Sequence, residues 1–133
     1  KYDSLFKDKC DSNESIEEFL LNIASTLKVE KSTLILSFVY IDKLCNFNKK
    51  LLKNLTLKKI MFTSIVLAHK YNEDLIFTNK CYAKVGKVAL EELNELERTF
   101  ADIIEYNFYT EASHFSKYVT FLSFLIKKDG RNL

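Results

Sequence analysis

Apolar positions along this chain recur every three to four residues and almost never in strict alternation, which predicts helices rather than strands. "SIEEFLLNIASTLK" opens with a capping box, Ser15 with Glu18, and then places Phe19, Ile23 and Leu27 on one face. "STLILSFVYIDKLCNF" (Ser32 to Phe47) starts with a capping hydroxyl and carries Leu34, Phe38, Ile41 and Cys45 at helical spacing. Ile35, Val39 and Leu44 fill its other faces. "TLKKIMFTSIVLAHKYNED" (Thr56 to Asp74) is of the same kind. Helices apolar nearly all round are enclosed by others, so both are predicted to be fully buried. A short helix, "TNKCYAKVG" (Thr78 to Gly86), follows, with Gly86 placed to close it in a left-handed conformation. "ALEELNELERTFADIIEYNF" (Ala89 to Phe108) is a long amphipathic helix whose stripe is Leu93, Leu96, Phe100, Ile103 and Ile104. In "EASHFSKYVTFLSFLIKK" (Glu111 to Lys128), Phe115, Val119, Leu122 and Ile126 are spaced to pack back on the body, and Lys127 and Lys128 suit a helix C-terminus.

Composition sharpens this picture. With no proline and only two glycines, the chain lacks the turn residues of a β-meander, so the fold class is all-α. Its 133 residues suit one domain with a proper core. Two enclosed helices surrounded by amphipathic ones make a globule rather than an up-down bundle, in which every helix keeps a polar face. The net charge of +2, with both signs interspersed, offers no concentrated basic field to nucleic acid or an anionic membrane. "NKKLLKNLTLKK" (Asn48 to Lys59) is the most basic stretch and reads as a solvated connection between helices. No apolar run approaches the roughly 20 residues of a membrane span. The opening "KYDSLFKDKC" lacks the apolar core of a secretion signal, so the sequons at Asn13 and Asn54 are taken as coincidental.

Cys10, Cys45 and Cys81 are widely spaced, with no C-x-x-C pair and no Cys/His cluster, which argues against zinc or any other metal. Cys45 fits a core thiol, and the expected compartment is reducing: intracellular, in cytoplasm and/or nucleus. There is no Ser/His/Asp arrangement, no glycine-rich phosphate loop and no paired carboxylates on a cleft face. The acidic residues of "EELNELE" are the solvated side of their helix. The expectation is a protein that is not an enzyme, with no catalytic residue, cofactor or small-molecule substrate. His69 reads as a partly exposed histidine, and His114 lies on the final helix among polar neighbours, with no partner to suggest catalysis.

Two charges break the pattern. Lys70 shares a helix face with Thr63, Val66 and Leu67, and Glu97 falls between Leu93, Phe100 and Ile104. On spacing alone, Lys70 snorkels, its stem covering apolar surface and its amine wet. Glu97 is then an edge residue paired with Arg98, Lys87 or Lys70 itself.

The blocks "LILSFVYIDKL", "FTSIVLAHKYNED" and "NKCYAKVGKVALEELNELERTFADIIEYNFY" resemble, in this order, a cyclin box. Within the cyclins they are most similar to the P-type (U-type) group, which includes the yeast phosphate-pathway cyclin and cyclin Y. The resemblance runs from about Ser15 to Tyr118. It implies a single five-helix box over residues 15–110, an N-terminal flanking segment over 1–14, and a C-terminal helix and tail over 111–133. It further implies a regulatory subunit that forms a heterodimer with a cyclin-dependent protein kinase and activates it. In the family, a lysine on the third box helix and a glutamate on the fifth form the polar centre of the kinase-binding face. Lys70 and Glu97 match them, and Tyr71 matches an aromatic beside the lysine. Ala101 and Tyr106 match fifth-helix positions that add apolar contact.

There are departures. Ala89 stands where the family often caps its fifth helix with serine or threonine, and His69 where it usually has a small residue. "SIEEFLLNIAS" lacks the tryptophan-containing docking motif by which cell-cycle cyclins recruit substrates. Two other readings stay open: a cyclin-fold interaction module of the transcription machinery, and a cyclin-like scaffold that activates no kinase.

Overall fold

The structure, a computed structural model, describes residues 15–47 and 56–129. Over them the chain forms six helices and no strand: α1 (Ile16–Leu27), α2 (Lys31–Phe47), α3 (Leu57–Asn72), α4 (Asn79–Gly86), α5 (Leu90–Ile103) and α6 (Ala112–Asp129). The expected all-helical fold is therefore found, with five helices followed by a sixth. The flanking segment 1–14, Cys10, both sequons and most of the basic stretch, from Asn48 to Leu55, lie outside the described residues.

α3 is the axis. Every residue from Ile60 to His69 is buried, and the helix feeds two apolar clusters on opposite sides. Ile60, Leu67 and Ala68 meet Leu36, Tyr40 and Leu44 of α2 together with Leu96 and Phe100 of α5. Phe62, Ile65 and Val66 meet Ile23 and Leu27 of α1, Tyr82 and Ala83 of α4, and Leu93 of α5. Each large side chain so enclosed contributes about 1.5–3 kcal/mol relative to exposure. Burial of Thr63 and Ser64 costs little, because their hydroxyls donate to the carbonyls of Lys59 (2.7 Å) and Met61 (2.8 Å) within the same helix.

α2 is less enclosed than its sequence predicts. Ile35, Phe38 and Ile41 are only partly covered, Asp42 is exposed, and Cys45 sits half-buried rather than in the core. Its apolar residues outnumber the surfaces that α3, α5 and α6 bring to it. The Cys45 thiol is nevertheless pushed above its ordinary pKa, first by burial and then by the Asp42 carboxylate. α6 packs on α2, with Phe115 against the core and the Tyr118 hydroxyl donating to Asp42.

The helix ends follow local chemistry. Ser15 Oγ accepts the Glu18 amide at 3.1 Å, as its capping box predicts. Ser32, expected to cap α2, lies instead inside its first turn. The function passes to a distant carboxylate: Glu73 Oε2 accepts from the Glu30 amide (3.3 Å) and the Thr33 hydroxyl (2.6 Å), placing negative charge at the helix N-terminus.

Gly86 is also not the left-handed residue. It ends α4, and Lys87 (φ 57°) makes the left-handed turn. What requires a glycine is the Phe62 ring, which occupies the space a Cβ would take.

α5 begins at Leu90 after Ala89, which makes no side-chain cap. Glu91 and Glu92 in its first turn partly compensate, and Glu92 Oε1 lies 2.7 Å from Lys59 Nζ. Ala89→Ser should therefore stabilise the fold by about 1 kcal/mol, read as a higher denaturant midpoint at constant slope. An unchanged midpoint would mean that the acidic turn already supplies what the cap would add.

The same helix stops at Ile103, five residues before the sequence suggests. Glu105 and Tyr106 are both left-handed (φ 58°), and the Tyr106 amide donates to Ala101 O at 2.8 Å. Donors from α2 hold the departing strand of chain. Lys43 Nζ binds the carbonyls of Asn107 and Tyr109, each at 2.8 Å, and the Tyr40 hydroxyl binds that of Phe108 at 2.9 Å. These tertiary bonds replace the helical ones that residues 104–108 would otherwise make.

Candidate functional site

Lys70, near the C-terminal end of α3, and Glu97, midway along α5, point at one another. Lys70 Nζ donates to Glu97 Oε1 at 2.7 Å. Of the three partners considered for Glu97, the structure selects Lys70; Arg98 faces Glu95 instead. The lysine is not a free snorkel. Its side chain is 28% exposed, that of Glu97 is 13% exposed, and the ammonium sits 5.5 Å from the centre of the Tyr82 ring.

A third residue completes the cluster. Asn79, in the first turn of α4, accepts from Lys70 Nζ through Oδ1 and donates through Nδ2 to Glu97 Oε2 (2.6 Å) and Asn94 Oδ1 (2.7 Å). Both Glu97 oxygens are occupied, and Lys70 keeps one N–H beyond its two bonds. The result is a part-covered polar centre built from three helices.

Aromatic side chains lie nearby in the chain and are exposed. Tyr71 is 54% exposed, and its ring centre lies 5.9 Å from that of Phe108. Tyr106 stands edge-on to the same Phe108 at 6.4 Å, and Tyr109 is also exposed. Tyr106 thus joins Tyr71 around Phe108, but from the turn after α5 and not from the helix expected to carry it. Ala101 is buried on α5. Its side chain adds little accessible area; its carbonyl anchors the turn that presents Tyr106. Phe108, Tyr109, Lys43 and Asn79 were not read from sequence, because each acts through a turn or a contact remote in the chain. Between α3 and α4, the run Leu75, Ile76, Phe77 is exposed, Leu75 at 87%. Three apolar residues outside any helical pattern were the signal for this feature.

The loop carrying them is tied down from beneath by His69, which is 2% exposed rather than partly exposed as its sequence context suggests. The correction has a physical cause: polar partners surround the ring. The Tyr82 hydroxyl accepts the Phe77 amide at 3.2 Å and lies 2.6 Å from His69 Nδ1. Burial holds the Tyr82 pKa above its ordinary value. On the other side of the ring, Nε2 faces Glu73 Oε1 at 3.4 Å. The Phe77 ring stacks on the imidazole at 5.5 Å. One chain of polar contacts therefore links the exposed loop, α3, α4 and the start of α2.

Among the described residues no three His, Cys, Asp or Glu side chains gather as a metal centre, and no helix is long and apolar enough to cross a membrane. His114 is exposed, its ring 5.3 Å from that of Tyr118. The arrangement around Lys70 is suited to recognition: a fixed polar pair, a residual donor and exposed aromatics.

Comparison with known proteins gives the same direction. A sequence model of the cyclin family matches residues 2–108. Cyclin-U2-2 of Arabidopsis thaliana is 33% identical over 105 residues, covering 78% of this chain and 46% of the plant protein. Cyclin-P3-1 of Oryza sativa subsp. japonica is 24% identical over 104 residues, 78% of this chain and 44% of its own length. The PHO85 cyclin-like protein psl1 of Schizosaccharomyces pombe is 25% identical over 120 residues, 89% of this chain and 49% of the yeast protein. The chain thus spans about half the length of these relatives. With the family matched over most of its residues and the helical fold in agreement, this chain belongs to the cyclin family.

Proposed function

We propose that the chain is the regulatory subunit of a cyclin-dependent protein kinase and docks through the face centred on Lys70 and Glu97. The observation that carries this reading is the Lys70–Glu97 pair itself, two charges drawn together across α3 and α5 and accompanied by exposed Tyr71 and Tyr106. A protein kinase is active only when its own lysine–glutamate pair forms, which requires its αC helix to be pressed inward. A rigid surface that binds the inward position more tightly than the outward one shifts that equilibrium. On this face, Tyr71, Tyr106 and Phe108 supply apolar area, while the remaining Lys70 N–H meets a backbone carbonyl and fixes register.

Affinity purification from the native cells, followed by mass spectrometry and phosphorylation of a generic substrate, tests the proposal. The expected result is a co-purifying cyclin-dependent kinase whose activity rises when the chain is added. Recovery without any kinase, or salt-dependent binding to DNA in a gel shift, would turn the reading toward a scaffold or a transcription module.

A further inference from the structure

The Lys70–Glu97 pair is not held by its own attraction alone. We infer that Asn79 is a positioning residue for the docking face: its amide sets the two charged side chains in one geometry before a partner arrives. The inference rests on the docking reading above and adds to it the residue that prepares the site.

Three observations carry it. First, the amide is used at both ends. Oδ1 faces the ammonium of Lys70, and the two Nδ2 hydrogens go to Glu97 Oε2 at 2.6 Å and Asn94 Oδ1 at 2.7 Å. A flipped amide would aim its NH2 at a cation and its oxygen at a carboxylate, so its orientation is determined. Second, Asn79 takes the second oxygen of Glu97 while Lys70 takes the first. The carboxylate is thereby locked about its own axis, which a single ion pair does not achieve. Third, Asn79 sits on α4, directly after the Thr78 cap whose hydroxyl accepts the Cys81 amide at 3.3 Å. The position of the pair is thus coupled to the start of a short, fixed helix and, through Asn94, to α5.

The chemistry explains why an amide stands here. Lysine and glutamate side chains lose rotamer freedom when a partner fixes them, at a cost of about two- to tenfold in affinity each. A neutral bridge that offers an acceptor to the cation and donors to the anion removes that freedom in advance, without adding charge. Aspartate has the same shape but only acceptors, and it would set a second carboxylate against Glu97.

The test uses the whole chain and a panel of recombinant cyclin-dependent kinases, with binding measured by calorimetry. Asn79→Ala should weaken binding about tenfold, and Asn79→Asp by at least as much, while both melt within a few degrees of wild type. In a Lys70→Ala background the further loss from Asn79→Ala should shrink, since only Glu97 is left to place. A second readout needs no kinase. The Lys70 ammonium signal in a nitrogen-correlated NMR spectrum should exchange with water faster in Asn79→Ala. Wild-type affinity in Asn79→Ala, or a full loss in the Lys70→Ala background, overturns the inference. A wild-type chain that binds no member of the panel defeats the docking reading. The ammonium signal then decides on Asn79 alone: faster exchange supports its positioning role, and unchanged exchange refutes it.

Discussion

Lys70→Ala should weaken kinase binding by about 3–5 kcal/mol, more than a hundredfold, because it strands Glu97 in an interface that then closes over it. Glu97→Ala should do the same from the other side. In the free protein the cost is smaller. Glu97 retains the Asn79 donor at 2.6 Å, and the Lys70 side chain is still 28% exposed. Glu97→Gln belongs between these extremes, since both carboxylate oxygens now accept and glutamine provides only one acceptor. The most discriminating variant exchanges the charges, Lys70→Glu with Glu97→Lys. Internal attraction returns, so thermal stability should recover. Recognition should not, because the donor that faced the partner has moved to the other helix. If the exchanged chain binds a kinase like wild type, the pair serves the fold and the docking site lies elsewhere.

Gly86→Ala should destabilise the protein by about 1–3 kcal/mol, against the ordinary preference of a helix for alanine over glycine. The new Cβ would overlap the end of the Phe62 ring. That ring cannot swing away: Phe62 is 1% exposed and packed with Ile65, Tyr82 and Leu93 in the second cluster. Gly86→Val should cost more. Trimming the obstacle, as Phe62→Leu in the Gly86→Ala background, should return part of the loss, so that the double variant is more stable than the sum of the singles. Denaturant midpoints measure all three. A Gly86→Ala chain as stable as wild type would show that α4 and α3 separate easily, and with them the support of Asn79 and Lys70.

The sequence was informative where an element's fate depends on its own residues. Period and missing turn residues placed the helices, and the uncharged, mostly apolar stretch from Ile60 to Ala68 marked α3 as central. It failed where remote partners decide. α5 stops early because Tyr40 and Lys43, more than sixty positions away, bind the carbonyls of Asn107, Phe108 and Tyr109. Ser32 loses its capping role to Glu73 across the domain. Gly86 was recognised as special but for the wrong cause, since a close approach by Phe62 leaves no local trace. At the candidate site, Lys70 and Glu97 were visible as charges interrupting apolar stripes. Asn79 was not, because an asparagine after a helix cap breaks no pattern. His69 was misplaced for a related reason: only the fold brings Tyr82 and Glu73 to its two nitrogens.

The central claim is that one face, around Lys70 and Glu97, receives the kinase. Hydrogen exchange on the chain, alone and saturated with the kinase it co-purifies with, tests this directly. The Glu73–Thr78 loop and the Glu105–Tyr109 turn lie largely outside the helices and are held by single turn and side-chain bonds, so their amides exchange faster than helical ones until something covers them. Slower exchange in these two segments, with α1 and α6 unchanged, is the predicted result. Protection confined to α1 or α6 in a formed complex would contradict it.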